Sequence, residues 1–138
     1  MSKMSQPAID KYLSTPNIAH LVTLKEDGSP IWYKYQNDQL YIICNQLSVK
    51  AKNIENDSRV AISVATATEP YKYVLIEGTA NFQSEGAEKT TLEISIHYQG
   101  VERGTQFANK ILSSGRTTVI RIIPHKIISW EEESYGST

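Results

Sequence analysis

The 138-residue chain has a single cysteine, Cys44, which excludes an internal disulfide and any cysteine-based metal cluster. Cys44 lies in an apolar stretch, where a packed, unreactive thiol is the default. No apolar run exceeds five residues, far short of the roughly 20 that a membrane-spanning helix needs. The opening MSKMSQPAID has no apolar core of a secretion signal. These absences point to a cytoplasmic protein without membrane contact. Neither sign of charge dominates: 14 basic and 15 acidic side chains leave a formal charge of −1. No global field therefore draws nucleic acid or anionic lipid, and any anion site must be local. The three histidines, His20, His97 and His125, are scattered outside metal-ligand spacing, so no metal site is expected. The glycine-rich dinucleotide and Walker A patterns are both absent. No serine sits in a nucleophile elbow, and the run Glu131 to Glu133 reads as a solvated face.

What remains is a chain of short strands with helices between them, long enough for one domain over residues 1–138 and too short for two good cores. Ala8, Ile9, Tyr12 and Leu13 recur at helical spacing before Pro16, predicting an amphipathic helix over 5–14 that lids the core. Strands are expected at 18–25, 31–35 and 40–44. The first two are joined by a hairpin at Asp27-Gly28 and the last two by a turn at 36–38. A helix over 48–56 precedes an alternating strand at 59–64. Another strand follows at 73–82, in which Gly78 predicts a bulge, bend or close approach. Residues 85–98 read as a helix with Leu92, Ile96 and Gln99 along one side, and 103–113 as a second. The last strand, 117–130, is interrupted by Pro124, which implies an edge or a bulge. About six short strands with late helices predict a small closed or nearly closed antiparallel barrel.

The stretch most open to chemistry is Ile42 to Ile54, a strand running through an elbow into a helix that opens on Ser48. Lys50 and Lys52 fall in its first turn, where the helix dipole disfavours cations. Orphan backbone N–H groups, a hydroxyl N-cap and two ammonium groups can together hold a phosphate. With Leu47, Ala51 and Ile54 as the buried stripe, Lys50 falls at its border and Lys52 on the far side. A lysine whose stem simply covers apolar surface would account for Lys50 as well. In the aromatic stretch Trp32-Tyr33-Lys34-Tyr35, strand alternation sends one pair to the core and frees the other to line a pocket.

The DGSP turn, the WYKY strand, the CNQLSVKAKNI elbow and helix, the PYKYVLIEGTANF strand, the HYQG helix end and the RIIPHKIISW terminus follow in order along the chain. In that order the chain resembles the pyridoxamine 5'-phosphate oxidase-like family of flavin-binding split barrels, particularly its short members, which include deazaflavin-dependent reductases. The resemblance implies a six-stranded antiparallel split barrel that forms a homodimer, with the cofactor in clefts at the subunit interface. It implies FMN as cofactor, with Ser48 and Lys50 on the flavin phosphate and Lys52 at a neighbouring basic position. Ile43, Cys44 and Asn45 would run beside the ring, and Trp32 and Tyr33 would line the same cleft. Trp130 would reach it from the partner subunit. The arginines that hold the substrate phosphate of true pyridoxamine oxidases are not matched, so vitamin B6 oxidation is not implied.

The expectation is thus an FMN-dependent oxidoreductase acting on a small-molecule substrate, with the flavin carrying the hydride and no protein residue named as catalytic. Two readings share the fold: a reductase using the deazaflavin F-420, and a flavin carrier or sensor without turnover. A fourth, a single-strand nucleic-acid binder stacking bases on Tyr33, Tyr35 and Tyr41, is disfavoured by the neutral charge.

Overall fold

Alternation in the strands builds the core. The computed structural model describes residues 2–23 and 26–132. Among them, seven strands form one antiparallel sheet in the order β2-β1-β5-β6-β7-β4-β3. They are β1 (Ala19–Thr23), β2 (Glu26–Ile31), β3 (Lys34–Gln36), β4 (Gln39–Asn45), β5 (Arg59–Ala65), β6 (Lys72–Gln83) and β7 (Thr117–Glu131). Every second residue turns inward: Leu21 on β1, Leu40 and Ile42 on β4, Val60, Ile62 and Val64 on β5, Val74 and Ile76 on β6, and Ile120 and Ile122 on β7. Each such side chain contributes about 1.5–3 kcal/mol by leaving water, so this aliphatic stripe is the main source of stability.

β2 and β3 lie on opposite edges of the sheet, yet Ile31 and Lys34 are joined through Trp32 and Tyr33 alone. Three residues reach at most about 11 Å. The sheet must therefore curl until its edges lie side by side, with no ladder between them. The result is a split barrel, as expected. The strand anticipated at 31–35 is the piece that divides: it becomes the end of β2, a two-residue link and β3, which is why seven strands stand where six were counted.

The Asp27-Gly28 hairpin is corrected. Leu21 faces Ser29 and Thr23 faces Glu26, so Asp27-Gly28 absorbs a one-residue slip inside β2 instead of forming the turn, and 24–25 lie outside the described residues. Aspartate and glycine suit a bulge as well as a turn. At Gly78 the bulge is present: Glu77 pairs with Lys126 while Gly78 pairs with Pro124, leaving His125 as the extra residue. A Cβ at Gly78 would collide with the Ile123 carbonyl oxygen. Pro124 sits at the same irregularity, beyond the last β4–β7 pair, Leu40 with Ile122.

Four helices complete the described residues: α1 (Gln6–Leu13), α2 (Val49–Asn56), α3 (Ala87–Gln99) and α4 (Val101–Leu112). α1 is capped by Ser5, whose Oγ accepts from the Ala8 N–H at 3.3 Å, and it buries Ile9, Tyr12 and Leu13 in the core. In α3 the expected face is wrong. Thr90, Thr91, Ile94 and Ser95 are buried, while Leu92 and Ile96 are only half-buried. Small hydroxyl residues let α3 approach its neighbours closely, and a count of apolar residues passes over them. α4 packs on α3 at Gly104, where a Cβ would come within 2.6 Å of the Ile96 Cα and the Ser95 carbonyl oxygen.

Candidate functional site

Where the barrel stays open, a cavity of about 370 Å³ lies between the strand edges and the α3–α4 pair. That volume falls within the roughly 300–1,000 Å³ typical of small-molecule sites. One wall comes from Ile18, Ile31, Trp32, Ile43 and Lys50, the other from Ile94, Ser95, Phe107 and Ile111. Apart from Trp32, Lys50 and Ser95, the lining is aliphatic or phenyl, so charge and hydrogen bonding are confined to a few points.

Trp32 is held from behind. Its indole stacks on Tyr98 with centroids 4.8 Å apart and planes 7° from parallel, and Phe107 leans against it at 5.5 Å. The Tyr98 hydroxyl donates to the Asn17 carbonyl at 2.6 Å and accepts the Tyr33 N–H at 3.3 Å. Burial pushes the Tyr98 phenol up to about 12, with the Tyr33 N–H pulling the other way. The indole therefore presents a fixed aromatic surface rather than a mobile one.

The charged end belongs to α2. Ser48 has extended backbone (φ −68°, ψ 157°) and its Oγ accepts from the Ala51 N–H at 3.1 Å. That bond satisfies one of the N-terminal donors and leaves others free. The first turn holds no acidic residue, and Lys50 has no carboxylate partner among the described residues. An anion here would meet backbone N–H groups, the positive end of the dipole and an ammonium together. Ala51 and Ile54 are the buried residues of α2. Leu47, assigned above to the same stripe, is 57% exposed because it precedes the N-cap and lies off the helix.

The other residues marked in the sequence are dispersed around this cavity. Lys52 is exposed on the opposite side of α2 and does not line it. Alternation along β4 puts Ile43 in the cavity wall and packs Cys44 against the core. Burial pushes the Cys44 thiol up, while the Ser48 hydroxyl and Lys50 pull it down. Asn45 is exposed, and its Oδ1 accepts from the Leu47 N–H at 2.8 Å, which shapes the elbow into α2. Tyr33 is 1% exposed and belongs to the core, its hydroxyl accepting from Asn17 Nδ2 at 3.2 Å. Burial raises its phenol well above the ordinary value. Trp130 lies on β7 beside Tyr73, at 6.2 Å between centroids, and is not part of the cavity wall. The α3–α4 wall and the Tyr98 support went unmarked in the sequence, because an apolar residue on a helix looks the same whether it meets core or cavity. Among the described residues no three His, Cys, Asp or Glu side chains cluster as metal ligands, and no helix is long and apolar enough to cross a membrane.

The curled sheet with its cavity at the seam defines a split-barrel protein. The chain belongs to the pyridoxamine 5'-phosphate oxidase family, whose model matches residues 5–131. Among solved structures, a conserved hypothetical protein from Mycobacterium tuberculosis is similar at a TM-score of 0.79 and 21% identity, covering 98% of this chain and 89% of that one. A protein described as an F420 reductase is similar at 0.69 and 20%, covering 86% and 94%. A FAD-binding protein from Mesorhizobium loti is similar at 0.67 and 17%, covering 96% and 97%. At these identities the likeness is one of fold. No curated protein matches the chain.

Proposed function

We propose that this chain is an FMN-dependent oxidoreductase whose flavin lies in the cavity at the barrel seam. One observation carries the reading: the flat, braced indole of Trp32, the aliphatic Ile43 and Lys50, a cation without a carboxylate partner among the described residues, line the same cavity, with Lys50 in a first helical turn free of acidic residues. The donor set fits a group with a planar ring and a phosphate. Backbone N–H groups of α2, Ser48 and Lys50 would hold the phosphate, while Trp32, Ile43 and the α3–α4 wall would enclose the ring and exclude water. The flavin, when bound, supplies hydride transfer to or from a small-molecule substrate. The chain's residues bind and orient, and none is assigned a proton transfer.

A second copy completes the proposed assembly. On the outer face of β6 and β7, Leu75 pairs with Ile128 and Tyr73 with Trp130, and Ile128 is 41% exposed. This apolar strip would be covered in a homodimer, where Trp130 is available to the partner rather than to its own cavity. Ile128→Asp is expected to shift the protein from dimer to monomer in sedimentation velocity. An unchanged sedimentation coefficient would remove this face from the assembly.

The test of the cofactor is direct titration of purified protein with FMN and with F-420, followed by absorbance and fluorescence. Saturable FMN binding supports the reading. Preference for F-420 would move the activity to deazaflavin chemistry on the same scaffold, and binding of neither would overturn both. Bound FMN that no reductant reduces at a catalytic rate would mark a carrier.

A further inference from the structure

Within the cavity's α3 wall there is one hydroxyl that the folded chain leaves without a partner. Four buried side-chain oxygens among the described residues have none: Tyr12 Oη, Thr91 Oγ1, Glu93 Oε1 and Ser95 Oγ. Of these residues, Ser95 alone lines the seam cavity; its Oγ is closed off at rest, so a ligand reaches it by rotation about χ1. An unpaired buried hydroxyl is costly enough that native proteins seldom keep one without use. Ser95 also has little freedom to move away. The α4 backbone at Gly104 presses on the Ser95 carbonyl and on Ile96, so rotation about χ1 is the main adjustment left to the hydroxyl.

We infer that Ser95 is a ligand-binding hydroxyl, hydrogen-bonding a ring nitrogen or carbonyl on the polar edge of the molecule held in the cavity. The inference rests on the flavin reading and extends it to a specificity determinant supplied by α3. Of the other side chains in the wall, the five isoleucines and Phe107 offer no hydrogen bond, Lys50 would be taken by the phosphate, and the Trp32 indole N–H can only donate. Ser95 is thus the neutral side chain of the wall that can accept as well as donate at the polar edge of a flat heteroaromatic ring.

Thr91 provides an internal control. It lies one turn earlier on the same helix, is 0% exposed and equally unpartnered, and does not line the cavity. FMN and F-420 are titrated into full-length wild type, Ser95→Ala and Thr91→Val, and each apo protein is melted. Ser95→Ala is expected to bind the cofactor roughly five- to tenfold more weakly, the loss of one hydrogen bond to a desolvated group. Thr91→Val should bind within about twofold of wild type. Apo Ser95→Ala should melt no lower than wild type, because it removes a hydroxyl that nothing in the protein satisfies. Equal binding by Ser95→Ala, an equal loss in Thr91→Val, or a fall of several degrees in apo Ser95→Ala would each overturn the inference and leave the flavin reading standing. Wild type that binds neither cofactor would overturn the flavin reading and this inference with it.

Discussion

The two walls of the seam cavity are built on different principles. The strand wall, Ile18 to Lys50, comes from the first part of the chain, and its charged group sits at a helix start with a hydroxyl cap. The α3–α4 wall comes from residues 94–111, far along the chain, and offers apolar surface and one unpaired hydroxyl, held by a close helix–helix contact at Gly104. The first wall selects by charge, the second by shape and a single hydrogen bond. Affinity for an anion should therefore depend on one wall, and discrimination among rings on the other.

The sharpest way to break this comparison is Gly104→Ala. In an ordinary helix the change would gain up to about 1 kcal/mol from propensity. Here the added Cβ meets the backbone of Ser95 and Ile96, so a net loss of about 1–3 kcal/mol is expected, seen as a melting temperature several degrees lower. A rise in melting temperature would show that the α3–α4 wall is loosely held. Next in size, Lys50→Ala should weaken FMN binding about tenfold and Lys52→Ala less than twofold, since only Lys50 lines the cavity. Equal losses in the two titrations would refute the division of α2 into a cavity side and a solvent side.

Smaller effects sharpen the contrast. Ser48→Ala removes the cap bond to Ala51 and should cost about 1 kcal/mol in urea unfolding, whereas Ser95→Ala should cost none. At high pH the Tyr98 brace weakens. Its phenol is raised to about 12 in the folded protein against 10.0 in the unfolded chain. The unfolded state therefore loses its proton first, so the contribution of Tyr98 is whole below pH 10 and is lost progressively as pH rises toward 12. Tyr98→Phe should flatten the fall in melting temperature over that window and remove one late-ionising phenol from an ultraviolet titration.

How far these features could be read in the sequence follows from how local their causes are. Alternation in Val60, Ile62 and Val64 and the Ser48 cap are written within a few residues, and the elements stand as expected. Gly78 marked its bulge because only glycine tolerates the Ile123 carbonyl so near. Asp27-Gly28 misled because the same dipeptide serves a turn or a strand irregularity, and the β1 register decides which. The division of the second strand at Trp32-Tyr33 depends on which edges its two ends pair with, a property of the closed sheet rather than of the dipeptide. The α3 face failed for a related reason. Thr90, Thr91 and Ser95 are buried because α3 packs closely, and nothing in their hydropathy announces it.

β7 lies between β6 and β4, and β4 ends at Asn45 while β7 begins at Thr117. The pairing that fixes Ile43 opposite Val119 therefore closes a loop of more than half the chain. Contacts of such separation form late, after the entropy of the intervening loop has been spent. β5 and β6 can pair as soon as they are made, whereas the seam and its cavity must await β7. On the ribosome, binding of the proposed flavin should then follow synthesis of β7, and a chain arrested before β7 should fail to bind it even where its first strands have formed.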